Sequence, residues 1–142
     1  MLGSVVSRSG TFDGIGWRRI AALPNCNWLE SADTPEEQAR QRDAWITIQR
    51  SHAVANNIPV LSANRIGFEG DPSEQTAGSQ FWGSSMIVGW QGELLAQADT
   101  SSTTELVVEL DLDRTEQVRR WWPYLRDRRI DAYEDIVKRY RD

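Results

Sequence analysis

The sequence predicts a mixed α/β fold, of the α+β kind, in which a mixed sheet ends in an antiparallel meander and carries helices on one face. The meander is indicated by an apolar run, Phe81 to Gly89, a turn at Gln91-Gly92 and a returning run, Leu94 to Ala98. Residues 105–113 then alternate between apolar and acidic residues, which is typical of a strand with one buried face. A helix is predicted from about Pro35 to Asn56 because apolar residues recur there at helical spacing.

The start of that helix has a clear local signal. Thr34 can cap it, and Pro35 suits the first helical position. Its apolar stripe is Ala44, Trp45, Ile48, His52 and Ala55, with Gln49 among the residues expected to face solvent.

Two further strands and two further helices complete the prediction. A short buried strand is expected at 18–23, stopped by Pro24, and another at 60–66, which follows Pro59. Short helices are expected within 114–124 and 131–141.

Composition excludes several classes of function. A chain of 142 residues with 39% hydrophobic and 26% charged residues is at most one soluble globular domain. Its net charge of −5 argues against nucleic acid as a partner, and no apolar stretch is long enough for a membrane span or a signal peptide. A single cysteine excludes an internal disulfide framework and favours the cytoplasm. Of the seven tryptophans, those at element ends could cover either a neighbouring layer or a partner subunit.

Several short segments of the sequence resemble one protein family. They are the Phe-Trp-Gly-Ser-Ser run from Phe81, the stretch from His52 to Gly67, and Arg-Asp-Arg-Arg-Ile-Asp-Ala-Tyr at 126–133. Together they are similar to the second half of the carbon–nitrogen hydrolase (nitrilase-like) superfamily, in particular to its N-carbamoylputrescine amidase branch. The resemblance spans about residues 16–133.

That resemblance implies both a fold and an activity. The fold would be half of an α-β-β-α sandwich, with residues 16–142 forming the C-terminal part of the hydrolase domain and residues 1–15 a disordered or out-of-family segment. The full enzyme would cleave a small ureido or amide substrate, as in putrescine biosynthesis. It would need no metal or organic cofactor, and we expect a homo-oligomer without nucleic-acid or membrane partners.

The family's catalytic residues are missing from this chain. The resemblance implies a Glu–Lys–Cys triad, in which a thiolate attacks the carbonyl carbon and an ammonium stabilises the oxyanion. The one lysine, Lys138, lies near the C-terminus, and the one cysteine, Cys26, lacks the aromatic, acidic and helix-opening residues that follow the family's nucleophile. We therefore predict no catalytic residues here, and an isolated chain that is inactive.

Candidate binding residues follow the ends of predicted strands, where open α/β folds place their pockets. Asn25, Cys26 and Trp28 follow the first strand, and the resemblance places them in the pocket region. Asn64 and Arg65 follow another, and Arg65 could either anchor a substrate carboxylate or pair with Glu69. The predicted substrate-binding residues are Asn25, Cys26, Trp28 and Arg65.

Other interpretations stay open at this point. His52, the one histidine, fits a packed side chain better than a dyad with Cys26, and one His with one Cys cannot make a metal site. Ser84 and Ser85 suit close strand packing better than nucleophilic chemistry. The chain could also be an inactive oligomerisation or regulatory fragment, or an incomplete reading frame.

Overall fold

The computed structural model of the chain describes residues 20–24, 28–30 and 33–133. The segment 1–15, predicted to be disordered, lies outside these residues. The elements of the described part are β1 (Ala21–Pro24), β2 (Trp28–Glu30), α1 (Pro35–Asn56), β3 (Val60–Ala63), β4 (Ile66–Glu69), β5 (Ser79–Trp82), β6 (Met86–Val88), β7 (Leu94–Gln97), α2 (Asp113–Trp121) and a 3₁₀-helix (Ile130–Ala132).

The described strands form two sheets. The larger one has the order β1-β3-β6-β7, with β1 parallel to β3 and the other neighbours antiparallel. The smaller one is antiparallel, with the order β2-β5-β4. The mixed sheet, the returning strand β7 and the helix α1 packed against β3 and β6 confirm the predicted fold class. No helix of the described residues is both long and apolar enough to cross a bilayer.

Helix α1 begins at the predicted capping signal and has the predicted bounds. The Thr34 hydroxyl accepts a hydrogen bond from the backbone N–H of Glu37 at 3.3 Å, and Pro35 occupies the first turn. Asn57 closes the helix in the left-handed conformation, with φ of 52°.

The buried face of α1 differs from the predicted stripe by about one residue. Its buried residues are Trp45, Gln49, Ala53 and Asn56, whereas Ile48 is 48% exposed. The expectation that Gln49 faces solvent was wrong, because the Ser62 hydroxyl on β3 donates a hydrogen bond of 3.1 Å to the Gln49 Oε1 atom. A buried amide is tolerated when a partner of this kind satisfies it.

Two strands predicted to be continuous are each divided between the two sheets. The run from Phe81 to Gly89 breaks after β5, where Gly83 and Ser84 have φ of 55° and 59°. Two successive left-handed residues cannot continue a strand, so the chain leaves one sheet and enters the other. The run 60–66 divides in the same way at Asn64-Arg65, and the Gly83 N–H donates to the Arg65 carbonyl at 2.9 Å. This hydrogen bond joins the two segments in which the chain passes from one sheet to the other, Asn64-Arg65 and Gly83-Ser84, which we call the crossings.

The third strand predicted for the meander, 105–113, is absent from the described part, and that prediction was wrong. Leu106, Val108 and Leu110 are half-buried and alternate with exposed residues, so the expected alternation is retained. The segment ends in α2, which begins at Asp113. A strand requires a neighbour that accepts and donates its backbone hydrogen bonds, and this segment pairs with no described strand.

Helix α2 begins one residue before the region 114–124 predicted for a short helix and otherwise lies within it, and a buried hydrogen bond anchors it. The Trp90 indole N–H donates to the Thr115 hydroxyl at 2.8 Å, and Val118 is fully buried. At the C-terminal end of α2 the Trp121 ring is 60% exposed. The helix predicted at 131–141 lies mostly outside the described residues, which place only the 3₁₀-helix at its start.

Candidate functional site

The two crossings between the sheets border a polar cleft of about 260 Å³ at the carboxyl end of β3. This is the position at which strand ends were expected to form a pocket. The cleft is lined by Asn64, Arg65, Ile66, Gly83, Ser85, Ala98, Asp99, Ser102, Thr103 and Thr104.

Asn64 holds the crossings together. Its side-chain Nδ2 donates to the Gly83 carbonyl at 3.0 Å, and its backbone N–H donates to the Ser85 hydroxyl at 2.9 Å. The Ser84 N–H donates in turn to the Asp99 carbonyl at 2.9 Å. Three segments that are distant in sequence are thus fixed around one cleft by specific hydrogen bonds.

A contact from α1 secures the loop behind the cleft. Ser84 is fully buried, and its hydroxyl accepts from the Arg42 Nε atom at 2.8 Å and donates to the Trp82 carbonyl at 2.9 Å. These bonds compensate for the left-handed backbone of Ser84, which costs a non-glycine residue free energy. A hydroxyl occupied in this way packs the loop rather than acting as a nucleophile, as the sequence indicated.

Arg65 lies at the cleft with two partners. Its guanidinium forms an ion pair of 2.9 Å with Glu69, and its Cζ atom lies 4.3 Å from the centre of the Phe81 ring. Both charged side chains of the ion pair are about half exposed, at 51% and 58%, so the pair contributes little stability. Of the two roles proposed for Arg65, the structure contains the ion pair, while the carboxylate anchor stays a prediction.

Of the other three predicted binding residues, the structure describes Trp28 but not Asn25 or Cys26. Trp28 is the register partner of Phe81 in the three-stranded sheet, so its backbone lies on the strand beside the ring that Arg65 covers. Asn25 and Cys26 lie outside the described residues, and their assignment to the pocket stays a prediction.

The cleft also contains a carboxylate that cannot serve as a base near neutral pH. Asp99 accepts hydrogen bonds from the backbone N–H groups of Ser102 and Ser101, at 2.6 and 2.7 Å. These bonds lower the pKa of Asp99 to about 2. A group this acidic stays ionised and orders the loop.

The described residues of the cleft include no activated nucleophile. The Ser85 hydroxyl is occupied by the backbone of Asn64, and His52 lies on α1, where burial lowers its pKa. The part of the chain that the structure describes has no group of three or more His, Cys, Asp or Glu side chains that could hold a metal ion. The cleft is lined by serine and threonine hydroxyls, by the Asn64 amide and by the Arg65 guanidinium, and such groups suit a neutral polar ligand.

The sequence pointed to Asn64 and Arg65, and to Ser84 as a packing residue, but missed Asp99 and Arg42. A signal existed for Asp99: an Asp followed by Thr-Ser-Ser is a common way to build a turn in which the carboxylate binds nearby N–H groups. Arg42 had no local signal, because its partner is 42 residues away.

The lowered pKa of Asp99 predicts an acid-dependent loss of stability. Because the folded state holds its proton less tightly than the unfolded state, the contribution of Asp99 is present above pH 4 and is lost as the pH falls towards 2. Urea midpoints of the wild type and Asp99→Asn should therefore differ more at pH 6 than at pH 2.5. A difference that is the same at both pH values would contradict this role of the carboxylate.

Comparison with known proteins identifies the family. The carbon–nitrogen hydrolase model matches residues 17–120. The chain is 40% identical over 109 residues to N-carbamoylputrescine amidase of Arabidopsis thaliana, covering 72% of this chain and 35% of that protein. It is 36% identical to a citrullinase of Francisella tularensis, covering 70% of this chain and 34% of that protein.

A solved structure supports the same assignment. The carbon–nitrogen hydrolase of Helicobacter pylori G27 matches with a TM-score of 0.82 at 49% identity, over 87% of this chain and 42% of that chain. The chain thus spans between 34% and 42% of the length of these relatives. The resemblance to the N-carbamoylputrescine amidases is confirmed, and this chain belongs to the carbon–nitrogen hydrolase family.

Proposed function

We propose that this chain forms the substrate-binding second half of a hydrolase of the N-carbamoylputrescine amidase type. The enzyme hydrolyses a terminal ureido group: R–NH–CO–NH₂ and water give R–NH₂, carbon dioxide and ammonia. Membership of the family, with relatives that act on ureido compounds, is the observation that supports this reaction most strongly.

The chemistry of the cleft supports the ureido group as the ligand. N-carbamoylputrescine and citrulline, the substrates named for two relatives, both end in –NH–CO–NH₂. Such a group is planar and presents N–H donors beside a carbonyl acceptor. The hydroxyls of Ser102, Thr103 and Thr104 can donate or accept, and the Arg65 guanidinium can donate to a carbonyl or a carboxylate.

Catalysis is assigned to residues outside this chain. The family resemblance implies a thiolate, an ammonium and a carboxylate, and the described cleft offers a guanidinium and one strongly acidic carboxylate instead. In this proposal the chain binds and orients the substrate while another part of the hydrolase domain supplies the triad. A role in putrescine biosynthesis, a cytoplasmic location and a homo-oligomeric assembly belong to the same proposal.

An inactive oligomerisation or regulatory role is the second candidate. It is favoured by the large rings exposed at the end of the described chain, where Trp121 and Tyr133 are 60% and 52% exposed. Exposed aromatic surface of this kind is typical of association sites.

A chimera would test the proposed function. The portion of the Helicobacter pylori hydrolase that precedes the matched segment is joined upstream of this chain, and ammonia release is measured with N-carbamoylputrescine and with citrulline. We expect hydrolysis of at least one, with unsubstituted fatty amides as poor substrates. Arg65→Gln should raise KM roughly 10-fold while leaving kcat within about 3-fold, because the side chain binds the substrate without taking part in bond cleavage.

The matched control is Arg40→Gln, which removes an exposed arginine of α1 that also pairs with a glutamate, Glu37. It should leave KM unchanged. A folded chimera that hydrolyses neither ureido compound would refute the proposed function, and equal effects of the two arginine substitutions would refute the role of Arg65.

A further inference from the structure

The cleft beside the crossings has two opposite charges on adjacent segments of its lining. Arg65 and Asp99 are the charged residues among the described ones that line it. A Cβ atom added to Gly83 would lie 2.8 Å from both the Asp99 carbonyl oxygen and the Ile66 Cγ2 atom. Asp99 therefore lies next to the residue that follows Arg65, so a carboxylate and a guanidinium border one small cleft.

The Asp99 carboxylate has acceptor capacity left for a ligand. The backbone N–H groups of Ser101 and Ser102 both donate to its Oδ1 atom. A carboxylate offers about four lone-pair sites, so Oδ2 keeps an acceptor site even when the Ser102 hydroxyl also donates to the carboxylate. Asp99 is exposed, and its pKa of about 2 keeps it negatively charged near neutral pH, where an aliphatic amine is protonated.

Asp71 provides a comparison within the same chain. In its loop, the Oδ1 atom accepts from the Ser73 N–H at 2.8 Å and the Oδ2 atom accepts from the Thr76 N–H at 2.9 Å. The pKa of Asp71 is also lowered to about 2, but Asp71 does not line the cleft. Asp99 thus differs from Asp71 in its position and in an oxygen that no backbone N–H of its loop occupies.

The Arg65 guanidinium can bind a ligand carboxylate as well as Glu69. Because both side chains of this ion pair are about half exposed, sharing or exchanging the pair costs little free energy. A guanidinium has five N–H donors in a fork that matches a carboxylate. The Phe81 ring, 4.3 Å from the Cζ atom, keeps the guanidinium at the cleft.

The two ureido compounds considered for the proposed function differ by one group. N-carbamoylputrescine is citrulline without its carboxylate. Both compounds therefore carry a ureido group and an ammonium, and citrulline carries a carboxylate beside the ammonium. A cleft with a carboxylate alone would suit both, whereas a guanidinium next to that carboxylate matches the additional group of citrulline.

We propose that the cleft binds the α-amino acid end of a ureido substrate, with the ammonium on the Asp99 Oδ2 atom and the carboxylate on Arg65. The cleft then selects an ω-ureido α-amino acid over the corresponding ureido amine, and the hydroxyls of residues 102–104 remain for the ureido group. Its volume of about 260 Å³ lies below the range typical of drug-sized ligands, which agrees with a ligand of amino-acid size. The inference rests on the proposed function for the ureido end of the ligand.

Three ligands that differ by single groups provide the test. Citrulline has both charged groups, N-carbamoylputrescine lacks the carboxylate, and 5-ureidopentanoate lacks the ammonium. Dissociation constants are measured by NMR titration of the chain itself and of the chimera, so that binding is observed whether or not hydrolysis occurs.

Two variants change the charges of the cleft, and two matched controls make the same changes elsewhere. Asp99→Asn keeps one oxygen for the loop and replaces the other by an amide NH₂ group, and Arg65→Gln removes the guanidinium. Asp71→Asn and Arg40→Gln are the controls, because neither residue lines the cleft.

We expect the wild type to bind citrulline about 5-fold or more tightly than either analogue, a preference that tests the site without any substitution. Asp99→Asn should weaken the two ammonium ligands by about 5-fold or more and leave 5-ureidopentanoate within about 2-fold. Arg65→Gln should weaken the two carboxylate ligands by a similar factor and leave N-carbamoylputrescine within about 2-fold. The two control variants should bind all three ligands as the wild type does.

The outcomes separate this inference from the proposed function. Selective binding of citrulline without ammonia release by the chimera would support the amino acid site and refute the hydrolase assignment. Tighter binding and faster hydrolysis of N-carbamoylputrescine than of citrulline would support the proposed function and overturn the amino acid site. The amino acid site would also be overturned if Asp99→Asn weakened all three ligands equally, since Asp99 would then only order its loop, or if neither the chain nor the chimera bound any of them.

Discussion

The purified chain should release no ammonia from N-carbamoylputrescine above the uncatalysed rate. Covalent amide hydrolysis requires an activated nucleophile and a proton carrier besides an oxyanion stabiliser, and the described cleft contains no thiol and no carboxylate that can act as a base near neutral pH. Enzymes accelerate such reactions by about 10⁶-fold or more, so the difference between the chain and the active chimera should reach several orders of magnitude. The measurement is ammonia release under single-turnover and steady-state conditions, with the chimera as the positive control.

Cys26 is the residue that could overturn this expectation, since it is the one thiol in the chain. In the chimera, Cys26→Ser should change KM by a few-fold and retain at least about a tenth of kcat, because we expect the thiol to line the pocket. Loss of the nucleophile would instead cost about 10⁶-fold. Enzyme-like ammonia release by the isolated chain, abolished by Cys26→Ser, would show that the chain carries its own reactive centre.

Local signals were sufficient for part of this fold. Helix α1 was predictable from Thr34 and Pro35 at its start and apolar spacing along it, and the hairpin β6–β7 from its Gln91-Gly92 turn. In each case the residues that determine the element lie within a few positions of it, so propensity and capping decide the outcome.

The remaining features depend on contacts between distant residues. The burial of Gln49 requires Ser62, and the break of the strand after β5 depends on Ser84, whose buried hydroxyl is held by Arg42. The alternation at 105–111 is typical of a strand, but the predicted strand is absent because a strand also needs a neighbour that pairs with it. The cleft lies between the segments around residues 64, 84 and 99, and no local pattern in the sequence indicates that these three segments meet.

Replacement of Gly83 by alanine should lower the free energy of unfolding by about 2–5 kcal/mol, the largest loss of stability among the cleft residues. Gly83 has φ of 55°, a region in which a residue with a Cβ atom loses about 1–2 kcal/mol. The added Cβ would also lie 2.8 Å from the Asp99 carbonyl oxygen and 2.8 Å from the Ile66 Cγ2 atom. Overpacking of this kind typically costs a further 1–3 kcal/mol or so.

Two other glycines separate these contributions. Gly67 also has a positive φ, of 87°, but an added Cβ would meet nothing within 4 Å, so Gly67→Ala should show the backbone cost alone. At Gly70 neither a strained φ nor a close neighbour opposes a Cβ, and Gly70→Ala should be near neutral. Urea unfolding of the three variants should rank Gly83→Ala below Gly67→Ala and Gly67→Ala below Gly70→Ala. Equal losses at Gly83 and Gly67 would mean that Asp99 and Ile66 can move away. The lining of the cleft would then be mobile rather than rigid. In that case Arg65→Gln in the chimera should raise KM by less than the roughly 10-fold expected for a rigid cleft.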